Sequence, residues 1–176
     1  MLFSVKYFLK TFPDLLPYVH YTISMSVIST FIGFVIASIF IAVKLLNIKV
    51  ITKIIDVYIS FFRGTPLLVQ LFIFYYGMPQ IIKPLKHITP YEAMIVGLSL
   101  CGSAYMTEII RGAIESVPKG QMEAALSIGM TPLKAFRRIV YPQAIRIAIP
   151  GIGNEFVDLL KSSSLAFVLG LTEILA

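Results

Sequence analysis

Charge is what this chain has least of. Asp, Glu, Lys and Arg together make up 14% of its 176 residues, against about 25% in an ordinary soluble domain. Cysteine is nearly absent: the one residue, Cys101, lies in an apolar run. An intrachain disulfide is therefore excluded. The two histidines, His20 and His87, are far apart and have no ligand spacing around them, so no metal site is expected. The Walker A pattern G-x-x-x-x-G-K-[ST] does not occur, which removes that route to ATP binding. No Ser/His/Asp or metal-centred constellation has a workable spacing, so the chain is not expected to be an enzyme. A secretory leader is not expected either, because Lys6 and Lys10 are followed by Pro13, Asp14 and Pro17, with no small-residue cleavage site.

What is present is apolar. Hydrophobic residues account for 57% of the chain, and the mean hydropathy is +0.86. They come in long uncharged runs, as a bilayer core of about 30 Å requires. The runs predict membrane spans at about 21–46, 54–76, 91–114 and 144–162. In the first, Ser29, Gly33 and Ala37 recur every four residues and offer a face for close helix approach. Arg63-Gly64-Thr65-Pro66 falls inside the second, where Pro66 predicts a kink or break. The net charge is +6. Lys44, Lys49, Lys53, Arg111, Lys119, Lys134, Arg137, Arg138 and Arg146 fall on one side of the spans, and Lys6, Lys10, Lys83 and Lys86 on the other. The richer side should be cytoplasmic, which places the N-terminus outside and the charged stretch 115–142 inside. With this arrangement the basic residues report topology, and no nucleic acid is implied.

That cytoplasmic stretch predicts a short helix from about Gln121 to Ile128, a stop at Gly129, and a second helix capped by Thr131-Pro132 and closed by Pro142. Two short helices and a tight turn form a knob suited to a groove on a partner, or an amphipathic loop lying on lipid. In the fourth span, Asn154, Glu155, Asp158, Lys161 and Ser162 form a stripe near mid-bilayer. Ionisable groups at that depth need a reason. Two reasons stand side by side. Arg63, Glu155, Asp158 and Lys161 could neutralise one another and hold the helices in register. Alternatively, with Asn154 and Ser162, they could line a path for a zwitterion, which needs acceptors and donors together. Glu108, Arg111 and Glu115, spaced as helix neighbours, read as an ion-pair ladder.

The knob resembles the signature of prokaryotic ABC importer permeases: Glu-Ala-Ala, three residues, Gly, nine residues, then Ile-x-Leu-Pro. Glu123-Ala124-Ala125, Gly129, Ile139 and Pro142 fall at that spacing, and Tyr141 stands where the family has Leu. Phe62 to Gln70, Glu108 to Gly112, Pro118, Gly120-Gln121, Gly153 to Phe156 and Lys161 to Leu165 are similar to the polar amino acid branch. Ser164 to Phe167 with Gly170 and Glu173 is similar to its cystine transporters. The resemblance implies an all-α, polytopic transmembrane bundle, the type I importer permease fold with a cytoplasmic coupling helix, as one permease domain over 1–176. It implies ATPase coupling through Gly120, Glu123, Ala124, Ala125, Gly129 and Pro142. It further implies an ATP-binding subunit that holds ATP and Mg (none on this chain), an extracellular or periplasmic substrate-binding protein, a second permease subunit, identical or paralogous, and a place in a prokaryotic cell membrane. The cargo implied is a polar amino acid, with L-cystine one candidate. Family members continue past the position of Glu173 into a final helix. This chain, ending at Ala176, is expected to hold only its start, at 165–176. The alternative function is a secondary amino acid transporter driven by an ion gradient through the mid-membrane carboxylates.

Overall fold

The computed structural model describes residues 12–13, 16–46 and 48–171; Lys6, Lys10, Asp14 and Glu173 lie outside them. Helix α1, Val19–Leu45, is 27 residues long. At 1.5 Å per residue that is about 40 Å, enough to cross a bilayer with some tilt. Its small and polar residues Thr22, Ser26, Ser29, Gly33 and Ala37 are buried, while Ile23, Val27, Phe31, Val35 and Ile39 face outward. This inverts a soluble helix, and lipid solvation explains it: apolar side chains lose nothing by facing hydrocarbon, so packing between helices goes to the residues that let backbones meet.

The partner of that face is α4, Pro90–Glu115. A Cβ on Gly33 would sit 3.2 Å from both the Ser103 nitrogen and the Ser99 carbonyl oxygen, so the two backbones are in direct contact there. Ser29 Oγ donates to the Ile95 carbonyl at 3.3 Å, and Tyr91 Oη donates to Ser24 Oγ at 2.8 Å. The start of α4 is fixed by a capping box between Thr89 and Glu92, with Pro90 at its first turn.

Between them the chain does not run as one span over 54–76. It forms α2, Lys49–Gly64, and α3, Leu67–Ile81, which meet at an angle of 107°. Of the kink or break expected at Pro66 the helix takes the break, because Thr65 and Pro66 both have extended backbone conformations. Lys44 at the end of α1 and Asp56 on α2 form an ion pair at 2.6 Å. A wide, π-type turn at Ile73–Gly77 interrupts α3.

After α4 come α5, Lys119–Ser127, and a short α6, Pro132–Ala135. A second π-type turn, Phe136–Val140, leads without a stop into α7, Tyr141–Ser162. Pro142 was expected to close the second short helix, and here the structure corrects the sequence reading. The amide of Tyr141 reaches back five residues to the Phe136 carbonyl, and this widened turn makes room for a proline ring without ending the helix. A 3-10 turn at Ser163–Leu169 follows α7, and Gly170 stops it in the left-handed region with φ +84°. The stretch expected to open a last helix at 165–176 is thus a tight turn over its first five residues; 172–176 lie outside the described residues.

Among the described residues there is no strand. Two helical stretches, Leu16–Leu45 and Pro90–Glu115, are long and apolar enough to cross a membrane alone, and the broken pair α2–α3 makes a third candidate. Helix α7 has the length, 22 residues, but it carries Arg146, Glu155, Asp158 and Lys161. It packs along α4, and Gly151 accepts Ile109 against its backbone.

Candidate functional site

The knob is held from beneath. Met122 and Phe136 pack on a small cluster of Val117, Val140 and Ala144, and Ala125 is buried. Its outer surface is left free: Gly120, Glu123, Ala124, Gly129 and Pro142 are exposed, and Glu123 forms no ion pair with any described residue. Gly129 has φ +83°. Its amide donates to the Leu126 carbonyl at 2.9 Å and the Met130 amide to the Ala125 carbonyl at 3.1 Å, the left-handed stop that closes a helix tightly. Thr131 then caps α6 by accepting from the Lys134 amide. Ile128 and Leu133, 75% and 78% exposed, flank the turn. This is a tightly turned knob with small exposed residues and apolar residues flanking its turn, and no described residue covers it.

The stripe on α7 divides. Ala144, Ala148, Glu155 and Leu159 form its buried face. Asn154, Asp158 and Lys161 are turned away from the chain's own core and exposed, and Ser162 is half-buried. Asp158 and Lys161 pair at 3.4 Å. The expected mutual neutralisation of Arg63, Glu155, Asp158 and Lys161 is otherwise not formed. Arg63, at the end of α2, lies beside Glu108 on α4, with Nη1 3.6 Å from Oε2, and its guanidinium stands 5.3 Å from the centre of the Tyr105 ring. The break at Pro66 brings this about, because it ends α2 across the face of α4. Glu108 is in turn held by Arg111 at 2.8 Å, and Arg111 holds Glu115 at 2.7 Å. The ladder is therefore present, with Arg63 added at its inner end.

Glu155 forms no ion pair among the described residues, although the charge of Arg63 still acts on it. It is 8% exposed and has neither a hydrogen bond nor an ion pair to any described residue. It points at Gly102 on α4, where a Cβ would meet Glu155 Oε1 at 3.6 Å and Leu159 at 3.0 Å. The glycine makes the space the carboxyl occupies. A carboxyl in such surroundings is costly unless something cationic or a donor reaches it. Arg63 lies within electrostatic reach of both Tyr105 and Glu155.

Two residues at this place did not emerge as site candidates from the sequence. Tyr105 could be found as the helix neighbour of Glu108, one turn back. Gln70 could be found as a lone amide in an apolar run, four residues after Pro66. It is 1% exposed. No group of His, Cys, Asp and Glu suited to a metal ion occurs among the described residues.

Residues 35–175 match the family model of the binding-protein-dependent transport system inner membrane component. The chain is 44% identical over 174 residues to a probable amino-acid ABC transporter permease protein, PatM, of Vibrio harveyi, covering 99% of this chain and 78% of that protein. It is 41% identical over 165 residues to the L-cystine transport system permease protein TcyL of Bacillus subtilis (strain 168), covering 92% of this chain and 69% of that one. The crystal structure of an amino acid ABC transporter with histidines superposes with a TM-score of 0.91 at 35% identity, over 99% of this chain and 80% of the other. The inward-facing MetNI methionine ABC transporter shares the fold, with a TM-score of 0.73 at 20% identity over 93% of this chain and 78% of that one.

Proposed function

The chain belongs to the family of binding-protein-dependent transport system inner membrane components, and from that premise we propose that it is the permease subunit of an ATP-driven amino acid importer. The observation that carries the reading is the knob formed by α5 and the turn at Gly129. It is tightly turned at Gly129, exposed, and at the family spacing of Glu123-Ala124-Ala125 and Gly129. A separate ATPase subunit, which holds ATP and Mg, docks there. A binding protein delivers cargo on the opposite face, and the N-terminus lies on that outer side. The membrane is the cytoplasmic membrane of a prokaryote.

The exposed side of α7 supports a pathway shared between two permease subunits. Asp158 and Lys161 face away from the chain's own core, and charges at membrane depth turn towards protein or water rather than lipid. A second permease subunit, identical or paralogous, covers that side, and the path lies between the two. Glu155 and Asp158 accept from the ammonium group of an amino acid. Arg63, Asn154, Lys161 and Ser162 donate to its carboxylate. Polar amino acids are the class, and L-cystine is the first compound to test. The similarity to permeases named for amino acids supports this.

The test is co-purification of the permease with the ATPase subunit, with and without Glu123→Arg. A bulky cation on the crown should abolish both association and ATP-dependent uptake while the permease itself still assembles. Unchanged association, or uptake that survives loss of the ATPase and collapses with an uncoupler, would remove the coupling role and favour transport driven by an ion gradient.

A further inference from the structure

The break between α2 and α3 poses an accounting problem that the membrane makes severe. A backbone carbonyl freed within hydrocarbon has no water to bond. In a continuous helix the carbonyl of Phe62 would accept from the amide of residue 66, but that residue is proline and has no N–H. Gln70 supplies the missing donor. Its Nε2 donates to the Phe62 carbonyl at 3.0 Å, and it also lies 3.0 Å from the Thr65 carbonyl and 2.8 Å from Thr65 Oγ1. Thr65 Oγ1 donates to the Phe61 carbonyl at 2.8 Å. The side chains of Thr65 and Gln70 thus bridge both sides of the elbow. The amide is oriented for this task at the expense of its own oxygen: Gln70 Oε1 is buried without a hydrogen-bond partner. Leucine would fill the same volume and satisfy none of these carbonyls.

We propose that Gln70 is a positioning residue of the transport pathway: its amide clips the α2–α3 elbow through the carbonyl that Pro66 orphans, and so fixes where α2 presents Arg63. Arg63 is the residue after Phe62, and its place beside Glu108 and Tyr105 follows from the position of the last turn of α2. The inference depends on the pathway reading only for what Arg63 then does; the clip itself can be tested without transport.

The protein carries its own reporter. Cys101, the single cysteine, is buried at 7% exposure, and its Sγ lies 4.0 Å from the same Phe62 carbonyl. The rate at which N-ethylmaleimide alkylates Cys101 in the full chain, assembled in membranes, reads the opening of the elbow. Gln70→Leu should accelerate it by roughly tenfold or more, because a local opening is favoured when a buried bond is lost. Gln70→Asn, one methylene too short to reach the carbonyl, should do the same with polarity kept. Arg63→Gln should leave the rate unchanged, since the clip acts on Arg63 and not the reverse. General loosening is read in a Cys101→Ser background with Ser163→Cys, an isosteric thiol at a fully buried position on the turn after α7; that thiol should stay protected. Three results would each overturn the proposal: unchanged Cys101 labelling in both Gln70 variants, parallel deprotection of the Ser163→Cys thiol, or failure of both variants to assemble, which would make Gln70 a packing residue.

Discussion

At the scale of the residue, Glu155 and Asp158 are three positions apart on one helix and differ in everything else. Glu155 is buried against the gap left by Gly102 and makes no ion pair with any described residue, whereas Asp158 is exposed and paired with Lys161. The difference predicts unequal mutants. Glu155→Gln keeps the shape and removes the charge, so uptake of a zwitterion by the assembled importer should fall at least tenfold while the subunits still co-purify. Asp158→Asn should cost less, two- to fivefold, because the carboxylate it replaces is already shared with Lys161; both figures are about what losing one charged hydrogen bond in part or in full is worth. Normal uptake of radiolabelled substrate by both variants would remove these carboxylates from the pathway. The sequence made the stripe legible, because charged residues stand out in an apolar run. It could not tell which member faced inward. That depends on where Gly102 falls on the neighbouring helix, and a glycine in another segment leaves no mark on the period of α7.

At the scale of the element, two glycines carry different constraints. Gly33 sits where α1 meets α4 backbone to backbone, so an added Cβ would press on Ser99 and Ser103 main-chain atoms that cannot rotate aside. Gly33→Val should therefore destabilise the chain by about 1–3 kcal/mol through overpacking, seen as a lower midpoint in thermal unfolding in detergent. Gly129 has open space around it, and its constraint is φ +83°. Gly129→Ala should cost roughly 1–2 kcal/mol for holding an L-residue in the left-handed region. It should act on docking of the ATPase more than on the melting of the bundle, because the strain is confined to the knob. Equal melting losses for the two variants would contradict this division. Both glycines were legible beforehand, Gly33 from its four-residue spacing with Ser29 and Ala37 and Gly129 as a helix stop. The two proline expectations met opposite outcomes. Pro66 breaks its helix, one of the two outcomes expected of it, and Pro142 does not close one. A proline in the sequence announces a missing N–H and an obstructing ring, but not what the neighbours do about them. At Pro66 a buried glutamine supports a full break; at Pro142 a π-type turn absorbs the ring.

At the scale of the whole molecule, orientation decides what each end can do, and it rests on the distribution of Lys and Arg. Lys44, Lys49, Lys53, Arg111, Lys119, Lys134, Arg137, Arg138 and Arg146 belong to the richer side of the spans, while the loop after α3 carries Lys83 and Lys86. Basic residues near span ends remain preferentially in the cytoplasm, so the proposed orientation puts the knob on the side of ATP and the loop after α3 outside. Helix lengths are compatible with this alternation: α1 and α4 are each long and apolar enough to cross once, and the broken pair α2–α3 is a third candidate between them. A thiol placed at Ile81, 84% exposed at the end of α3, should therefore react with a membrane-impermeant maleimide in intact cells. A thiol at Glu123 should react only after the membrane is opened. Cys101 is buried and should give little background in either case. The reverse pattern would turn the molecule over, and with it the assignment of the knob to an ATPase, since no cytoplasmic subunit could then reach Glu123. Labelling of both thiols from outside would instead mean that the elbow does not return the chain across the bilayer.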